Sequence, residues 1–312
     1  MLCAAKLRIL NVIYILSGRG VVKISNKYFK ALNDNFHSTL AFKKALDFYI
    51  NSSLHVALAV VAFTVITYLN FHIPIDHDLL LFIFFGTITG YNFIKYAGIA
   101  KFQHFNLSPN LQAIQILSFT AFVGLIITLG FQSMEVLISS SILGSITLLY
   151  AFPFSEKYRN LRGIPGLKIY IIAFVVAGVT VLLPLVDVHS FPEQDHLIDL
   201  IQRCMIAIVL ILPFEIRDML GDHTRLGTIP QKFGVQRTKV IGYSLTCVFI
   251  LIEFLKVEIH WAHTISLLFL GIISIVFLKR SSNNQGDYFA SFWVEAAPWF
   301  WLGIFYILQW LI

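Results

Sequence analysis

Charge is scarce in this chain of 312 residues. Asp, Glu, Lys and Arg together make up 13% of it, while 57% is hydrophobic and the mean hydropathy is +0.77. A soluble domain carries about a quarter charged residues, so this composition excludes one and points to a polytopic helical membrane protein. Cysteine is nearly absent. Cys3, Cys204 and Cys247 show neither CxxC nor Cys/His ligand spacing, which sets aside zinc and a disulfide framework and leaves small buried apolar residues. Long linkers, low-complexity tracts and internal repeats are also missing, and without an inverted repeat an ion-coupled transporter ranks last. No small-x-small site follows the short apolar run 9–16 before Lys23, which weakens a signal-peptide assignment. That run is too short to span a bilayer, and residues 1–50 are expected to form an N-terminal cytoplasmic or interfacial segment.

What the chain does have is apolar runs near the ~20 residues needed to cross hydrocarbon. Nine are expected, at about 52–70, 78–97, 111–130, 133–152, 166–186, 196–216, 237–256, 261–279 and 289–311. The fold class is therefore all-α, with residues 51–312 as one membrane domain. The net charge of +6 is distributed by topology rather than as a nucleic-acid footprint. Of the 23 Lys and Arg, all but Arg203 and Lys256 fall before the first span or in the loops that follow even-numbered spans. The other loops carry Asp76, Asp78, Glu135, Asp187, Glu193, Asp195, Asp199 and Glu258. The positive-inside rule then puts the N-terminus in the cytoplasm and the C-terminus outside. A bacterial inner membrane is the expected location.

The organising stretch is PFEIRDMLGDHTRLGTIPQKFG, from Pro213 to Gly234. On one helix Glu215, Asp218 and Asp222 fall at i, i+3 and i+7 and share a face. Such a carboxylate row suits Mg²⁺, which bridges protein oxygens to substrate phosphates. Gly227-Thr228-Ile229-Pro230 then breaks the helix. On the same membrane side span 2 ends with Asn92 and Lys95, one turn apart, and Lys95 either snorkels to the interface or faces a partner. Lys157, Arg159 and Arg162 are expected to anchor the loop after span 4, and Lys168, opening span 5, to point inward. Glu295 in the last span is either functional or a structural partner for Asn92 or a tyrosine hydroxyl. Most of the aromatic residues, 15% of the chain, are expected in the core and interfacial belts, with a few lining an apolar tunnel.

The nine runs, Tyr150-Ala151-Phe152-Pro153 leading to Lys168, and Arg217-Asp218-x-x-x-Asp222 with Gly227-Thr228-Ile229-Pro230 and Gly234 together resemble the UbiA superfamily of intramembrane prenyltransferases. The resemblance covers about residues 50–312. It implies nine helices around a central cavity, Mg²⁺ held by Asp218 and Asp222, and transfer of a prenyl group from a prenyl diphosphate to an aromatic or lipid acceptor among membrane lipids. Asp218, Asp222, Asn92 and Lys95 are its implied catalytic residues, with Arg217, Lys168, Glu215 and Tyr150 binding substrate. The chain departs from the family's first Asp-rich motif: only Asn92 remains, Phe93 and Tyr96 stand where acids belong, and Lys95 adds a positive charge. Lys95 then takes the place of one metal, or the chain only binds or transports an isoprenoid lipid.

Overall fold

The computed structural model describes residues 41–100, 109–151, 164, 166–219 and 227–312. The chain divides into a unit of residues 1–48, of which the described part, 41–48, is helical, and a unit of residues 49–312. Asp222, Arg225, Phe152, Pro153, Lys157, Arg159, Arg162 and most of the expected N-terminal segment lie outside the described residues.

The larger unit is all helical among the described residues. We label α1 Leu54–Asn70, α2 His77–Ala100, α3 Pro109–Leu129, α4 Met134–Ala151, α5 Leu167–Asp187, α6 Gln194–Asp218, α7 Ile229–Leu251, α8 Trp261–Arg280 and α9 Ala297–Leu311. Seven helical stretches are long and apolar enough to cross a membrane, and an eighth counts if the helix ending at Asn51 joins α1 in a single span. The expected nine spans are thus met only in part. α4 falls short because its apolar stretch, Met134–Tyr150, is short, and α1 because its 17 residues begin after a break.

Local sequence accounts for the ends of these helices. Asp76 Oδ1 accepts from the backbone N–H groups of Asp78 and Leu79 at 2.7 and 3.1 Å, capping α2. Thr228 starts α7 with Pro230 in the first turn, and its backbone N–H donates to Gln231 Oε1 at 3.1 Å. α7 therefore begins well before the expected 237. At Gly234 the backbone leaves the helical region, with φ 76° and ψ 165°, and two helical segments meet there in a kink.

Each helix packs on its neighbour along an arc that runs α3, α2, α1, α9, α8, α7, α6, α5, α4. Two apolar clusters hold the arc. One joins Phe63 of α1 with Ile206, Leu212, Phe249, Leu267 and Trp301. The other joins Val60 and Tyr68 with Leu79, Phe82, Val136, Leu143 and Leu183. Ile116, Phe119, Ile127, Ile138 and Ile142 face outward, as lipid permits. α5 contains a π-turn, Gly178–Leu182, where Leu143 packs so closely on Gly178 that an added Cβ would sit 2.6 Å from it. The carbonyl of Thr180 in that turn accepts from Thr67 Oγ1 at 2.7 Å.

The acidic-loop end of the bundle departs from the expected layout. Asp199 and Arg203 lie on α6 rather than in a loop, Lys256 lies in the bend that follows the turn Ile252–Leu255, and all three are buried. Lys256 Nζ lies 2.7 Å from Asp199 Oδ1 and 2.8 Å from Glu253 Oε2. His263 Nδ1 meets Glu253 Oε1 at 2.9 Å, and Thr264 and Gln202 also donate to that carboxylate. Arg203 donates to the Phe63 carbonyl at 2.6 Å and lies 4.6 Å over the Phe63 ring. Loop position along the chain does not show which face of a helix turn a charge occupies, and here the charges point inward.

Candidate functional site

The site forms at the opposite, Lys/Arg-rich end. Its floor is the helix break before α1, where Ser53 adopts φ 65°. Asn92 of α2 fills this break. Its Oδ1 accepts from Ser53 Oγ at 2.7 Å, and its Nδ2 donates to the Ser52 carbonyl and to Ser118 Oγ, both at 2.9 Å. Asn92 is 3% exposed, so its amide ties α1, α2 and α3 together and does not reach Glu295. One turn on, Lys95 Nζ donates to the Asn51 carbonyl at 3.2 Å and to Asn51 Oδ1 at 3.3 Å. Tyr96 OH donates to the same carbonyl at 2.8 Å. The ammonium of Lys95 is thus turned toward the break and held beside the Tyr96 ring at 5.3 Å.

The break also anchors the last span. His55 Nε2 lies 3.0 Å from the Phe292 carbonyl and must donate its proton there, so Nδ1 accepts from Tyr49 OH, also at 3.0 Å. Phe292 belongs to a π-helical segment, Phe289–Val294, and Glu295 follows it at the step into α9. π-turns of this kind concentrate at functional positions. Glu295 is in electrostatic range of both Lys95 and Arg217, and Tyr91 is in range of Glu295, Arg217 and Tyr150. Tyr91 is 43% exposed and Glu295 is half-buried. Tyr91, Lys95, Arg217 and Glu295 thus approach one another in the space where α2, α6 and the step into α9 come together, here termed the chamber.

α6 supplies the other wall. Arg217 Nε and Nη2 meet Asp218 Oδ1 and Oδ2 at 2.7 and 3.1 Å, a two-pronged pair with roughly a third of each side chain open. Glu215 does not share an open face with Asp218. It is 3% exposed and bound to Lys168 of α5 at 2.7 Å. A carboxylate buried this deeply needs a counter-ion, and Lys168, expected to point inward, provides it. α6 ends at Asp218, so a helical row reaching Asp222 is not part of the described structure. Gly166, at φ 79°, opens α5, and a Cβ there would lie 3.7 Å from Lys232 Nζ, which brings a further basic group near Lys168. Tyr150 is buried at the end of α4.

Lys95 and Arg217 are both in electrostatic range of Glu295, and Arg217 and Tyr150 both in range of Tyr91, so Glu295, left open between two roles, stands among these groups at the start of α9. Among the described residues no group of three His, Cys, Asp or Glu could hold a metal ion. Among the described residues Asp218 and Glu295 are the carboxylates with open surface near Arg217.

No family model matches the chain, and no curated protein matches it either. One solved structure does match, described as giving structural and mechanistic insights into digeranylgeranylglyceryl phosphate synthase in membranes. It is 16% identical, with a TM-score of 0.52, and the match covers 85% of this chain and 98% of that one. The chain therefore shares the helical fold of that membrane protein, and its apolar helices make it an integral membrane protein.

Proposed function

We propose that this chain is a UbiA-like prenyltransferase of the membrane, acting on a prenyl diphosphate and an aromatic or lipid acceptor. The observation that carries this reading is that Lys95 from α2 and Arg217 from α6 both lie in electrostatic range of Glu295. Two cations brought to one place at the end of an apolar bundle suit a diphosphate, whose negative charge grows as the allylic carbon–oxygen bond breaks. Lys95 stands between Phe93 and Tyr96, the positions where the family resemblance expects acids, and would supply directly the positive charge that a metal would otherwise bring to that wall. Mg²⁺, held by Asp218 with Asp222, would add further charge neutralisation at the leaving group when bound. Asp218 orients Arg217 through its two-pronged contact, and Asn92 fixes the helix break on which Lys95 rests. Tyr91, 43% exposed, offers an aromatic face to an allylic cation, and Tyr150 is buried within electrostatic range of it.

A second reading keeps the fold without the chemistry. Its support is specific: the described part of α2 places no carboxylate in the chamber, so the chain would bind or carry an isoprenoid lipid. Purified protein incubated with geranylgeranyl diphosphate and Mg²⁺ separates the two. Release of diphosphate that EDTA and Asp218→Asn both abolish supports the enzyme. Copurifying isoprenoid that survives EDTA, with no diphosphate released from donors of any length, supports the carrier.

A further inference from the structure

We propose that Glu295 is the base that removes the proton from a hydroxyl-bearing acceptor, a phenol or an alcohol. This inference rests on the prenyltransfer reading and deepens it.

The other two carboxylates at this end of α6 are already committed. Glu215 is closed by Lys168 at 2.7 Å, and Asp218 is gripped at both oxygens by Arg217. Glu295 differs from both. Among the described residues its carboxylate has no hydrogen-bond or ion-pair partner, although it lies inside the bundle. The residue keeps open surface, and neither of its oxygens is a sealed, unpaired atom. An ionisable side chain within a membrane span is retained where it has a task.

The backbone around it is built to hold that position. Glu295 N–H donates to the Ala290 carbonyl at 3.2 Å across the π-turn, and Ala296 N–H donates to Phe292 at 3.0 Å. His55 pins the Phe292 carbonyl from α1. The same α1 break carries Lys95, so base and cation are placed by one scaffold. Glu295 also faces Lys95 and Arg217 electrostatically, which puts it beside the diphosphate position without bonding it to either group.

Prenyl transfer to oxygen needs such a group. The allylic carbon–oxygen bond breaks and its electron pair leaves with the diphosphate. A lone pair of the acceptor oxygen forms the new carbon–oxygen bond. The hydroxyl proton must then go to a base, and the Glu295 carboxylate accepts it before passing it to water. In the ground state the same carboxylate accepts a hydrogen bond from that hydroxyl, which selects O–H acceptors over apolar ones of similar shape.

The test uses the full chain in nanodiscs with Mg²⁺, geranylgeranyl diphosphate, and either a phenol or a glyceryl-ether alcohol as acceptor. Two rates are read: prenylated acceptor formed, and diphosphate released with acceptor omitted. Glu295→Gln is expected to lower transfer about 100-fold, to leave acceptor-free release within about threefold, and to flatten the rise of transfer rate with pH. Glu295→Asp should restore part of the transfer and the pH dependence. Equal loss of both rates in Glu295→Gln, with the melting temperature unchanged, would make Glu295 a structural counter-ion and overturn the proposal, as would full transfer by that variant. If Glu295→Gln fails to fold, Glu295→Asp decides: a transfer rate and pH profile identical to the parent's overturn it. No diphosphate release by the parent protein with any donor would refute prenyltransfer itself, and the assignment of Glu295 with it.

Discussion

Asp199 and Lys256 meet at 2.7 Å with 3% of either side chain exposed. Each is also tied to further polar groups, Asn70 on the first and Glu253 on the second. Removing one member leaves the other charge buried and unpaired. Lys256→Met should therefore destabilise the protein by about 3–5 kcal/mol, whereas Lys256→Met combined with Asp199→Leu should cost less than the two single changes added. Thermal unfolding in detergent, followed by near-ultraviolet dichroism, measures both.

Asn92 should behave as a structural tie. Asn92→Ala strands the Ser53 hydroxyl and the Ser52 carbonyl and is expected to cost about 1–3 kcal/mol. It should also loosen Lys95, so donor affinity falls along with stability. Asn92→Asp would put a negative charge against the Ser52 carbonyl and should be worse than alanine in a melting experiment.

Arg217 and Asp218 form a planar two-pronged pair, which a lysine cannot reproduce. Arg217→Lys should weaken prenyl diphosphate binding on the order of tenfold, about 1.4 kcal/mol, while keeping the fold. Titration calorimetry with a non-hydrolysable prenyl diphosphate gives the number. Lys95→Met should weaken the same ligand but leave binding of an uncharged isoprenoid alcohol unchanged.

Acid should destabilise the other end of the bundle. Burial first, and then the neighbouring His72 imidazole 4.7 Å away, lower the pKa of His260 at the start of α8. A histidine whose folded pKa is depressed costs nothing at neutral pH. As pH falls through the unfolded value, the unfolded chain takes up a proton that the folded chain resists, so stability drops. Melting temperature should decline between about pH 7 and pH 5, and His260→Asn should remove part of that decline.

The helices were largely legible in the sequence because apolar run length is a one-dimensional signal. The placement of Lys95, Arg217 and Lys168 at one end followed from the alternation of basic and acidic loops. Facing was not legible. Asp199 read as a loop charge, yet helix phase turns it inward, and Lys256 reaches in from the bend after Leu255 to meet it. Asn92 was assigned a ligand because its partners are serines at a backbone break that no periodicity announces. Glu215 seemed to belong with Asp218 by spacing, but an ion pair from α5, distant in the chain, claims it. Glu295 stood out as an intramembrane acid, and only the three-dimensional approach of α2 and α6 to α9 tells which groups it faces.

The π-turn at Gly178–Leu182 sets the azimuth of everything on its basic side. Such a turn amounts to one residue more than regular winding needs, and one residue is roughly 100° of rotation. Deleting a residue there would let α5 wind smoothly, swing Lys168 around the helix axis away from Glu215, and withdraw the carbonyl that Thr67 binds. A single codon in the middle of one helix therefore fixes the compass bearing of an ion pair about three turns away.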